Sequence, residues 1–132
     1  MQYAHYLYRL EHADAVKDED GDWTSSGAVW VFVCRCREET NGKGARITLT
    51  DGKDFVFGSL IQIPVGNEKI QEGAKVMITQ QEISSEDLLL ISSVNDKNGI
   101  KKMEELTLNG DIRIKGECKK YDLNTYHNRM WV

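Results

Sequence analysis

The sequence predicts an all-β fold, a small closed or nearly closed β-barrel of SH3-like or OB-like type with little helix. Three observations predict it. About seven short segments alternate apolar with polar side chains, the period-2 signature of strands. Turn chemistry separates them, most plainly at Asp51-Gly52 and Asn98-Gly99. So many short strands leave free edges unless the sheet closes on itself. The chain has 132 residues and carries no fixed-period repeat, low-complexity tract or composition shift, which predicts one domain over 1–132.

Taken in order, Tyr3 to Leu10 is an aromatic and apolar run that predicts the first strand. His12 to Gly27 is rich in Asp, Ser, Thr and Gly and predicts an exposed, mobile acidic loop. Ala28 to Arg37 (AVWVFVCRCR) predicts a central strand, with Val29, Val31, Val33, Arg35 and Arg37 on one face. Ala28, Trp30, Phe32, Cys34 and Cys36 then share the other. Glu38 to Gly44 is the next turn. Arg46 to Thr50 and Phe55 to Pro64 form a hairpin around Asp51-Gly52, and Pro64 ends the returning strand because it has no ladder donor.

Val65 to Gly73 reads as loop or one helical turn, and Ala74 to Gln80 as a strand with Val76 and Ile78 facing opposite to Lys75 and Met77. Leu88 to Val94 reads as a further strand and Asn98-Gly99 as a tight turn. Ile100 to Leu108 fits either a short helix or a strand. The alternation from Asp111 predicts a strand through to Tyr121 with a bulge at Gly116. The tail opens with a helical turn capped by Asp122 and closes with a short docked strand at Met130 to Val132.

The formal charge is −4 and the pI about 5.4. That argues against a general nucleic-acid binder, since sequence-independent affinity for phosphates needs a surplus of Lys and Arg. Local basic patches stay open. Cys34, Cys36 and Cys118 are too few, and odd in number, for a disulfide framework, which points to a reducing compartment. No apolar run reaches the length of a signal peptide or a membrane span.

No constellation of residues carries a specific chemistry. The run Asp18, Glu19, Asp20, Gly21, Asp22 begins like a calcium loop but lacks its sixth-position Gly and twelfth-position Glu, so it reads as a solvated loop. Cys34 and Cys36, with His5 or His127, lack the paired spacing of structural zinc and read as buried free thiols. His12 and His127 have no identifiable partner, and no nucleophile elbow, P-loop or dinucleotide fingerprint is present. The expectation is a non-enzyme with no cofactor and no metal. Arg35, Arg37, Lys43 and Arg46 around one turn, and Lys115, Lys119 and Lys120 on another strand, form mixtures an OB-type binder uses. Glu38, Glu39, Asp51 and Asp54 in the same region would offset that field.

Several short motifs follow one another along the chain. They are YAHYLYRLE, the D-x-D-G-D-W loop, CRCREE, N-G-K-G, D-G-K with F-x-F-G-S-L-I-Q-I-P, E-G-A-K-V-M-I, and the closing K-G-E-C-K-K-Y-D with H-N-R-M-W-V. In that layout the chain resembles the head-tail connector, or head-closure, family of tailed bacteriophages, in versions carried by phages and prophages of Bacteroidetes. Residues 84–108 fall outside the likeness.

The resemblance implies a virion protein assembled in the host cytoplasm, a structural ring subunit between portal and tail that acts through protein contacts around the DNA channel. Its partners would be copies of itself and portal, adaptor and tail proteins, with no membrane; double-stranded DNA would pass nearby without sequence-specific binding. Asp18, Glu19, Asp20 and Asp22 would face the channel and repel phosphates. Trp23, Trp131, Arg35, Arg37 and Tyr126 are the interface candidates. The alternative is an OB-like single-stranded nucleic-acid-binding or accessory module.

Overall fold

The computed structural model describes residues 2–12, 16–17, 23–24, 27–93 and 95–132, with 16–17 and 23–24 as backbone only. The elements are β1 (His5–His12), β2 (Val16–Lys17), β3 (Trp23–Thr24), β4 (Ala28–Thr40), β5 (Arg46–Thr48), β6 (Asp54–Val56), β7 (Ser59–Pro64), β8 (Lys75–Thr79), α1 (Ser85–Ser92), α2 (Lys97–Leu108), β9 (Ile112–Glu117), β10 (Lys120–Asp122) and β11 (His127–Trp131). Seven strands make one antiparallel sheet in the order β10-β11-β7-β4-β1-β8-β9. Two ribbons stand apart, β2 with β3 and β5 with β6.

β4 organises the sheet. Ala28–Cys36, except Val33, pair with β1, and Arg37–Thr40 pair with β7, so one long strand belongs to both halves. The end strands β9 and β10 follow each other along the chain. Between them the Cys118 N–H donates to the Ala74 carbonyl at 2.9 Å and the Lys119 N–H to the Trp131 carbonyl at 2.8 Å. The sheet therefore curls into a half-barrel. Its inner face gathers Leu7, Cys36, Ile61, Ile63, Ile70, Val76, Ile78, Cys118, Tyr121 and Met130 into one core. Burying each such large side chain contributes about 1.5–3 kcal/mol.

A second core lies on the outer face, where Tyr8, Trp30, Met77 and Ile112 meet Ile83, Ile91 and Leu106 beneath α1 and α2. The expected nearly closed all-β barrel with little helix is thus corrected: the fold is mixed, a seven-stranded half-barrel with a distinct two-helix subdomain. Leu88 to Val94 was expected as a strand, but Leu88–Ser92 lie in α1; a short apolar run has the same composition in a buried strand or helix. The Ser84 hydroxyl caps α1 by accepting from the Asp87 N–H at 3.2 Å. Asn98-Gly99, expected as a tight turn, is the first turn of α2, where the Asp96 carboxylate accepts from the Asn98 N–H at 2.8 Å.

Gly99 is buried because the helices meet there. A Cβ on it would stand 2.3 Å from the Leu90 carbonyl oxygen and 2.9 Å from that of Ser93. Two further bonds tie the subdomain to the sheet. The Ser92 hydroxyl accepts from the Trp30 N–H at 2.9 Å, and the buried Tyr8 hydroxyl accepts from the Ile83 N–H at 2.8 Å.

Smaller expectations also shift. The run from Asp111 to Tyr121 breaks into β9 and β10 at Cys118-Lys119, and the irregularity lies opposite Ile78 and Thr79 at Arg113, which the register leaves unpaired, instead of at Gly116. Asp122 ends β10 and opens no helical turn, and Glu38–Thr40 continue β4 where a turn was expected. Asp51-Gly52 does turn the β5–β6 ribbon, with Gly52 at φ 85°, a conformation that glycine adopts without steric cost. The return from it is interrupted at Phe57-Gly58, giving β6 and β7.

Candidate contact face of the sheet

A bulge in β4 decides which side chains reach the outer face. Leu7 pairs with Cys34 and Tyr8 with Phe32, so Val33 is an extra residue. Up to Phe32 the even-numbered side chains point outward, with Trp30 in the core under the helices; beyond Val33 they point inward, with Cys36 in the inner core. The single face expected for Ala28, Trp30, Phe32, Cys34 and Cys36 is therefore split in two. Arg35 and Arg37 emerge on the same side as Tyr6 and Phe32.

Register carries this face across the sheet. Arg37 pairs with Gln62 and Gln62 with Arg129, which pairs in turn with Asp122. In the next row, Glu39, Leu60, Trp131 and Lys120 stand side by side. The Arg35 guanidinium lies over the Tyr6 ring at 4.2 Å, and the Phe32 ring, half exposed, leans on Tyr6 and Tyr8 at centroid distances of 6.2 and 5.6 Å. Arg129 and Lys120 cover the Trp131 ring at 5.3 and 5.8 Å, and Lys119 lies 5.5 Å from Phe55 of the β5–β6 ribbon. Lys120 also donates to the Thr48 carbonyl at 3.0 Å.

The carboxylates divide unequally. Glu39 pairs with Arg37 at 3.4 Å and Asp122 with Arg129 at 3.8 Å, both exposed pairs of the kind worth less than about 1 kcal/mol. Glu38 points the other way. It is buried and accepts from Arg113 Nη2 at 3.1 Å, Arg113 Nε at 3.2 Å and the Thr40 hydroxyl at 2.9 Å, which joins β4 to β9. Beside it, His5 Nδ1 accepts from the Glu38 N–H at 3.0 Å, and burial is the main cause holding the imidazole pKa below 6.5. Buried Gln62 Oε1 and Arg129 Nε, neighbours across β7 and β11, have no hydrogen-bond partner among the described residues.

Of the residues singled out in the sequence, Arg35, Arg37 and Trp131 come together on this face. Trp131 is itself buried under its two cations. Tyr126 stands apart, 83% exposed, in the turn between β10 and β11. Asp18, Glu19, Asp20 and Asp22 lie outside the described residues, as does the side chain of Trp23, whose backbone forms β3. Tyr6, Phe32, Gln62 and Arg129 were not singled out. Only the alternation in HNRMW would have pointed to Arg129, and the bulge that exposes Phe32 has no sequence mark.

Elsewhere the groups are quiet. Burial pushes the thiols of Cys34, Cys36 and Cys118 up to about 11, 12 and 11, which keeps them protonated at neutral pH. Among the described residues no group of three His, Cys, Asp or Glu is placed to hold a metal ion, and no helix is long and apolar enough to cross a membrane. A groove of about 770 Å³ runs between the helix pair and the start of β4, with Trp30, Leu89 and Met103 in its wall and Lys75 and Lys115 beside it. No protein-family model, curated protein or solved structure matches this chain.

Proposed function

We propose that this chain is a structural subunit that works by contact, of the kind that forms the ring between portal and tail in tailed bacteriophages. One observation carries the reading: the six most exposed large apolar side chains among the described residues stand in two separate places. Leu89 and Leu108, 64% and 86% exposed, and Ile100 lie on the helix pair. Leu123 and Tyr126 lie in the turn between β10 and β11. Val65 is close to them, in the turn after Pro64, the cross-strand partner of His127. A ring of identical subunits joins one patch to a different patch on the next copy, and exposed aromatic and aliphatic residues are the usual anchors of such a joint.

The phage resemblance supplies the partner and the two patches supply the means. Residues 84–108, the stretch outside that likeness, contain the helix pair, so one of the two joints would belong to this chain's own version of the ring. Sedimentation of the chain alone and with the portal protein of the same phage genome tests this. The chain alone sediments as a monomer or weak oligomer and joins the portal as a ring. Leu108→Asp and Tyr126→Asp each weaken ring formation at least about tenfold without unfolding the chain. Wild-type chain that stays free of the portal contradicts the reading, as do variants that assemble normally.

A further inference from the structure

The outer face of β4, β7, β11 and β10 is basic on an acidic protein, and it is aromatic at one end. We infer that this face binds single-stranded nucleic acid, with Arg35, Arg37, Arg129 and Lys120 holding phosphates and Phe32, backed by Tyr6, stacking a base. The argument begins with charge. The chain carries a net −4, yet the rows that cross this face set those four cations against only Glu39 and Asp122. Strand alternation turns Glu38, next to Arg37 in sequence, to the other side of the sheet, where it is buried against Arg113. The carboxylate that most directly offsets the field in the sequence is therefore absent from the face.

Spacing and chemistry agree. Arg37 and Arg129 stand two strand spacings apart, about 10 Å, so a backbone laid across the strands meets successive cations. Arg37 and Arg129 hold their carboxylates only in exposed pairs, which a phosphate can replace at little cost. Arg35 has no ion-pair partner among the described residues; its planar group rests on Tyr6 and leaves its N–H donors for an incoming anion. Phe32 presents a half-exposed ring at the same end, as a stacking platform requires. A duplex keeps its bases stacked inside and has no use for the ring, which is why the single strand is the ligand.

Fluorescence anisotropy with a labelled oligothymidylate of about 15 nucleotides and a duplex of equal length tests this. The single strand binds the wild-type chain at about 50 mM salt and is released as salt approaches about 200 mM. Phe32→Ala, Arg35→Gln and Arg129→Gln each weaken binding about tenfold, and Lys101→Glu on α2 leaves it unchanged. Circular dichroism of each variant separates lost binding from lost structure. No binding at low salt overturns the inference, as does a duplex bound as tightly as the single strand or variants that bind like wild type. Ring formation with the portal is read separately, so either proposal can fail alone.

Discussion

Two side chains at the end of β4 show how single residues hold this molecule together. Glu38 is buried with the partly exposed Arg113 as its cationic partner, and removing that partner leaves the buried carboxylate uncompensated. Because the Arg113 side chain is 36% exposed, Arg113→Ala is expected to destabilise the fold by about 1–2 kcal/mol, measured by denaturant unfolding, and less in an Arg113→Ala, Glu38→Gln double variant. His5 adds a pH dependence. Its folded pKa lies below 6.5, so the folded state resists a proton that the unfolded chain accepts. Its contribution is complete above 6.5 and is lost as pH falls through the folded value. The melting temperature should therefore fall more for wild type than for His5→Gln between about pH 7.5 and about pH 5.5. An equal fall in both would exclude His5 as the cause. At this scale the sequence was partly legible: the alternation of Arg35 and Arg37 was visible, but the partner of Glu38 lies 75 residues away and no local pattern announces it.

At the scale of elements the strands were legible and the helices were not. Val76 and Ile78 face opposite to Lys75 and Met77 as their alternation implies, because both sides of β8 meet a core. The Leu88–Ile91 run has no polar interruption, so its period cannot separate helix from strand; the capping signals of Ser84 and Asp96 were the better guide. Gly99 misled most. Asn-Gly is a strong turn signal, yet here glycine serves the contact between α1 and α2. Gly99→Ala should cost about 3 kcal/mol or unfold the helix pair, whereas Lys101→Ala on the same helix should be near neutral in thermal unfolding. The bulge at Val33 likewise left no trace in sequence, although it decides that Phe32 and Arg35 look outward together.

For the molecule as a whole, the curled sheet supplies a rigid body with one core inside and another beneath the helices. What that body offers to others is surface: apolar side chains on the helix pair and at the β10–β11 turn, and a basic face between strands. The four cations proposed to hold phosphate stand on β4, β10 and β11, whereas the apolar patches lie on the helix pair and in the β10–β11 turn. The central claim is assembly through the two apolar patches. Cryo-electron microscopy of the chain mixed with the portal protein that the proposed function assigns to it tests it most directly. The account expects a ring in which Leu89 and Leu108 of one copy lie against Leu123 and Tyr126 of the next. A portal that recruits no ring, or a ring joined through other surfaces with both patches left in solvent, would contradict it.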